Sequence, residues 1–206
     1  MVRTNSTMLP LETPLPFFDL KVVPGTSLED GQEKEGLARI ATKDLSDRPV
    51  LLMLLCAHCP FVKHLEVGLS NLAEDFGDRV QILAISSNSL ITHPQDGPVN
   101  LMAQANEHGW KFPYLLDSDQ NFAKALKAAC TPDFFLFSCS SNGDQKLRYR
   151  GQFDGSRPGN NIPVSGEDIR TALDAVLEGK SVPNDQKPSI GCNIKWHPGL
   201  EPEWFL

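Results

Sequence analysis

The chain is expected to fold as an α/β domain, a central mixed sheet with helices on both faces and extensions at each end. Two observations predict this. The uninterrupted apolar runs at 50–55 (VLLMLL) and 80–86 (VQILAIS) read as strands buried on both faces. Segments of helical period alternate with further strand-like segments in the order β-α-β-α-β-α-β-β-α, the pattern of a sheet layered by helices.

Each element has its own local reason. Pro49 bounds the first strand. Leu65, Leu69, Leu72, Ala73 and Phe76 then recur at helical spacing and Gly77 ends the helix. After the second strand, DGP at 96–98 opens another helix, with proline suited to its first turn and Gly109 closing it. A short strand at 114–116 and a short helix at 120–129 follow. Strands at 134–137 and 147–150 are joined by SNGD at 141–144, a hairpin signal. SGED at 165–168 reads as a capping box for a helix through Leu177, ended by Gly179. Residues 1–16 read as an extended lead and 17–179 as the domain. Residues 180–206, Pro-rich and without period, read as a tail packing on it.

Composition narrows the function. With 206 residues, one domain of roughly 100–200 residues plus extensions is the default. A hydrophobic content of 40% can build a packed core. The net charge of −7, from 19 basic and 26 acidic side chains, suits neither nucleic acid nor a membrane surface, because phosphates must be met by Lys and Arg. Residues 1–15 lack the apolar run of a secretory signal, and the longest apolar run, 50–57, is far too short for a membrane span. A cytoplasmic protein is expected, in a compartment that keeps structural thiols reduced. Five cysteines is an odd number, so they point to chemistry rather than stapling.

Cys56-Ala-His-Cys59-Pro60 falls where the first buried strand ends and its helix begins. Free backbone N–H groups and the positive end of the helix dipole are expected to stabilise an anion on Cys56. Thiols so placed fall from a pKa of about 8.5 to roughly 3.5–7.5. His58 would add positive charge and favour the reduced form, which makes the couple more oxidising. A structural zinc site would need a second ligand pair, and only His64 and the scattered Cys130, Cys139 and Cys192 are on offer. Redox chemistry is the better reading, and it calls for no metal and no cofactor.

A strand, a CxxC at a helix start, and Thr131-Pro132 before a later hairpin resemble the thioredoxin fold. In that family the proline is cis and lies against the CxxC, so the resemblance implies that Thr131 and Pro132 shape the groove for a substrate disulfide. The segments CAHCPFVKH (56–64), CTPDFFLF (130–137), YRGQFD (149–154) and PSIGCNIKW (188–196) are similar to AhpC/TSA-like, peroxiredoxin-like members of that superfamily. The resemblance implies an antioxidant or redox-homeostasis enzyme. Its substrate would be a disulfide-containing protein or a small thiol or peroxide, and its reductant of thioredoxin or glutathione type. Two departures weigh against peroxide. Met53 stands where peroxiredoxins place a Thr or Ser three residues before the attacking cysteine, and a Thr-Pro pair replaces a supporting arginine. Thioredoxin's Trp and buried acid are replaced by Leu55 and Val50.

The expected mechanism has Cys56 attacking a substrate disulfide and Cys59 resolving the mixed disulfide. The alternatives are a peroxidase with Cys56 attacking, and a metal-binding module using Cys56, Cys59 and His58 or Cys130 for Cu(I) or zinc. Cys130, two residues before Pro132, is either a further redox thiol or a buried small residue. Cys192 is either a resolving thiol for Cys56 on a mobile tail or packed against the domain. Cys139 reads as incidental. The loop at 87–98 is expected to border the site.

Overall fold

The computed structural model describes residues 3–26, 38–139 and 144–205. Its elements run β1 (Arg3–Asn5), β2 (Asp19–Val22), β3 (Arg39–Ala41), β4 (Val50–Leu54), α1 (Pro60–Phe76), β5 (Gln81–Ser86), α2 (Pro98–Glu107), β6 (Tyr114–Leu116), α3 (Asn121–Ala125), β7 (Cys130–Thr131), β8 (Asp133–Cys139), β9 (Gln145–Gly151), α4 (Glu167–Leu177) and β10 (Ile190–Asn193).

Seven strands form the central sheet in the order β3-β2-β6-β5-β4-β8-β9. It is mixed: β4 runs parallel to β5 and antiparallel to β8. All five residues of β4 are buried, as expected of a strand covered on both faces. Its side chains alternate between two cores. Leu51 and Met53 pack with Val62, Leu65, Leu69 and Leu72 of α1, Leu101 of α2, and Ile169 and Leu173 of α4. Val50, Leu52 and Leu54 pack on the other side with Phe122 of α3. Each such buried Leu contributes about 1.5–3 kcal/mol.

The second face is where the extensions matter. The helix there, α3, spans only Asn121–Ala125, because Lys127 adopts φ 50° and stops the longer helix expected over 120–129. The uncovered area is filled by Leu9 from the lead, by Phe18 just after it, and by Ile194 and Trp196 from the tail. Trp204 and Phe205 close edge-on against Trp196.

The lead and tail also contain strands that no period announced. β10 lies between β1 and β7 in a separate three-stranded sheet. The capping box at 165–168 does not form. Gly166 is the N-cap residue of α4, at φ 68°, and the Ser165 hydroxyl accepts from Glu167 N–H and donates to Asp154. Asp154, earlier in the same β9–α4 connection, takes the Ser165 and Gly166 N–H groups instead. The hairpin turn expected at 141–144 falls largely outside the described residues, although its two strands pair antiparallel. Among the described residues no helix is long and apolar enough to cross a membrane.

Candidate active site

The chain leaves the C-terminal edge of β4 after Leu55, whose N–H still donates to Ile85 O. Cys56 follows, and three residues later Cys59 is the N-cap of α1 with Pro60 at its first position. Such a proline costs no hydrogen bond because N–H groups of the first turn are unpaired anyway. Both sulfurs point at the strand carrying the cis Thr131–Pro132 peptide. Cys56 Sγ lies 3.3 Å from Thr131 Oγ1, and Cys59 Sγ lies 3.3 Å from Thr131 O. Cys56 and Cys59 are both 0% exposed, and Cys192 1%.

The loop expected to border the site does so through Asp96, whose place before Gly97 and Pro98 marks it in sequence only as a helix opener. Asp96 is fully buried and accepts the N–H groups of Ala57 and His58 on one oxygen, at 3.0 and 3.2 Å. Its other oxygen meets His58 Nδ1 at 2.6 Å and the Asn88 amide at 2.8 Å. Burial alone would push this carboxyl up. The bonds from His58 and Asn88 outweigh it and hold Asp96 below its usual range. His93, from the same loop, stacks on His58 with centroids 5.3 Å apart. Behind Cys56, Gln104 reaches its carbonyl at 3.5 Å and bonds Glu66 at 2.8 Å. Asp96, Asn88 and Gln104 were missed because nothing in their local sequence marks them; they reach the site only through packing.

This arrangement takes from Cys56 the donors expected to stabilise an anion there. The N–H groups of Ala57 and His58, which could have stabilised it, are spent on Asp96, and the His58 ring is turned to the same carboxylate. The Cys56 thiol is pushed well up by its bond to the Cys59 sulfur, by burial and by the charge of Asp96. Cys59 is lowered to about 2 by donation from the Cys192 and Cys56 thiols and by the Val62 N–H in the first turn of α1. Of the three mutually bonded thiols, the one at the helix terminus is thus lowered and the other two are raised. Cys192, donating to Cys59, is pushed up.

The structure therefore brings Cys56, Cys59, Thr131, Pro132 and Cys192 together, with His58 turned toward Asp96. Cys130 is buried on β7, bonds Pro132 O at 3.8 Å, and is pushed well up by burial and by the buried Asp133. Cys139 sits at the far end of β8, away from the site. Met53 is buried in the apolar core behind it. Cys56, His58 and Asp96 bring a sulfur, a ring nitrogen and a carboxylate oxygen within 4.8 Å of one another. Both Asp96 oxygens already accept hydrogen bonds, so a metal ligated there would have to break that network. A shallow recess lies against Pro132, lined also by Phe61, His64, Gln152, Arg157 and Ile190.

Fold and dithiol together define a thioredoxin-like protein. The chain belongs to the AhpC/TSA family, which residues 14–153 match. Thiol-based redox chemistry is the function that this family membership supports. Among solved structures, it is similar to an uncharacterized conserved protein of Geobacillus kaustophilus, with 46% identity over 97% of this chain and 98% of that one, at a TM-score of 0.85. A hypothetical protein of Sinorhizobium meliloti 1021 is 38% identical over 95% of this chain and 100% of the other, at 0.84. Mycobacterium tuberculosis AhpC, at 17% identity over 83% and 94% of the two chains and a TM-score of 0.55, shares the fold. No curated protein matches the chain.

Proposed function

We propose that the protein is a thiol–disulfide oxidoreductase of the reducing cytoplasm, in which Cys56 and Cys59 cycle between dithiol and disulfide. One observation carries this reading: both sulfurs converge on Thr131 beside the cis proline, each 3.3 Å from a Thr131 oxygen. In this reading the lowered thiol, Cys59, attacks first, in place of the Cys56 expected from sequence. The Cys59 thiolate attacks a substrate sulfur, the bond between the substrate sulfurs breaks, and a mixed disulfide forms. Cys56 then gives up its proton and attacks Cys59, releasing the second substrate thiol and leaving the Cys56–Cys59 disulfide. A thiol reductant of the thioredoxin or glutathione class returns the pair to its reduced form.

Thr131 Oγ1 bonds the Cys56 sulfur and favours its ionised form as it enters. Because both sulfurs are buried, exchange requires local opening of the segments over them. The test is turnover of a disulfide substrate by Cys56→Ser and Cys59→Ser. Both variants are expected to lose turnover; retention by Cys59→Ser would overturn the reading.

A further inference from the structure

Cys192 enters the site from the tail and meets Cys59, not Cys56. The two sulfurs stand 2.7 Å apart, beyond a bonded length of about 2.05 Å but with no room for an atom between them. Backbone holds Cys192 there from both sides, since β10 pairs with β7 through Cys192↔Thr131 and with β1 through Arg3↔Cys192. Ile194 N–H donates to Ala129 O at 3.0 Å, and Ser6 N–H donates to Ser189 O at 2.9 Å. Gly191 permits this approach. A Cβ there would lie 2.0 Å from the Thr131 carbonyl oxygen, so any side chain would push β10 off the strand bearing the cis peptide. The thiol aimed at Cys59 is therefore carried on a strand in register, which answers why the tail packs where it does.

We propose that Cys192 is a third redox thiol of the site, and that Cys59 is a hub exchanging between two disulfide partners, Cys56 and Cys192. This rests on the reading of Cys56–Cys59 as the redox pair. Once that disulfide has formed, Cys192 gives up its proton and its sulfur attacks Cys59 Sγ. The Cys59–Cys192 bond forms as the Cys56–Cys59 bond breaks, and the electron pair leaves on Cys56, which takes up a proton. One disulfide replaces another, so no oxidant or reductant is consumed. Thr131 Oγ1, 3.3 Å from Cys56 Sγ, is placed to hydrogen-bond the leaving sulfur. The product has Cys56 restored as a thiol and β10 covalently joined to the N-cap of α1. The oxidised protein thus stores its two electrons' worth of oxidation in a bond that also locks the tail across Thr131.

Disulfide mapping of the full-length protein decides this. The reduced protein is oxidised with oxidised glutathione, alkylated in denaturant, digested without reduction and read by mass spectrometry. Wild type is expected to yield the Cys59–Cys192 peptide pair as its main internal disulfide, with Cys56 alkylated. Cys192→Ser is expected to yield Cys56–Cys59 alone, and Gly191→Ala to lose most of the Cys59–Cys192 pair. Wild type holding only Cys56–Cys59, with Cys192 alkylated, would overturn the exchange while leaving the oxidoreductase reading in place. Wild type forming neither bond, or Cys59→Ser keeping full turnover, would overturn both.

Discussion

The turn between β4 and α1 holds two cysteines in opposite settings. On the strand side, Cys56 faces the buried carboxylate of Asp96, which has taken the nearby N–H groups and the His58 ring. On the helix side, Cys59 has the first-turn N–H of Val62 and two thiols donating to it. The motif is symmetric in sequence, and the difference comes entirely from what the rest of the chain delivers to each end. A loop brings a negative charge to one sulfur, and a tail strand brings a hydrogen-bond donor to the other. The position of a cysteine within a CxxC therefore does not by itself say which one carries the charge.

Breaking the strand side has the largest expected effect. Asp96→Ala strands two backbone N–H groups, a histidine and an asparagine amide in a buried setting, and should destabilise the protein by about 3 kcal/mol in denaturant unfolding. Asp96→Asn keeps the shape and removes the charge, so it should cost less stability and lower the Cys56 pKa, as followed by thiol titration. An unchanged Cys56 in that variant would mean that Asp96 does not set the difference between the two thiols.

On the helix side, Gly191→Ala forces β10 from Thr131 and should cost about 2 kcal/mol of stability. It should also raise Cys59 toward the ordinary thiol range, because Cys192 would no longer donate to it. Cys192→Ser should give a smaller rise, since a hydroxyl still donates from the same strand. Thr131→Val is the smallest of these changes. It removes one hydrogen bond to Cys56, worth about 1 kcal/mol, and should raise the Cys56 pKa further.

The same comparison carries a pH dependence with a definite sign. Cys59 sits at about 2 in the folded protein against 9.0 for an ordinary thiol. Between those values the unfolded chain binds the proton that the folded one has lost, so this group makes the reduced protein more stable as pH rises from about 2 to about 9. The contribution is complete above the ordinary thiol range and is lost as pH falls through the folded value. Cys56 and Cys192, both raised, act oppositely and withdraw stability above that range. The stability of wild type relative to Cys59→Ser, measured across pH, should follow this slope.

Much of the scaffold was legible because its signals are local. The runs at 50–55 and 80–86 are apolar on both faces and could only be interior strands, and Gly77 and Pro98 punctuate their helices. β1, β7 and β10 were illegible because each is short and draws its order from partners far along the chain, as when Arg3 pairs with Cys192. The dithiol, Thr131 and the cis Pro132 could be picked from the motif and its resemblance. Asp96 could not, since its local role as a helix opener is a sufficient explanation of its presence. Cys192 could be suspected, but its meeting with Cys59 depends on the register of β10, which no residue nearby announces.

The central claim is that the site's negative charge rests on Cys59. The most direct measurement is the ultraviolet thiolate titration of the reduced protein alongside Cys56→Ser and Cys59→Ser. The account predicts a thiolate that persists far below the ordinary thiol range in wild type and in Cys56→Ser, and that is absent from Cys59→Ser. A low-pKa thiolate that survives in Cys59→Ser and disappears in Cys56→Ser would contradict it.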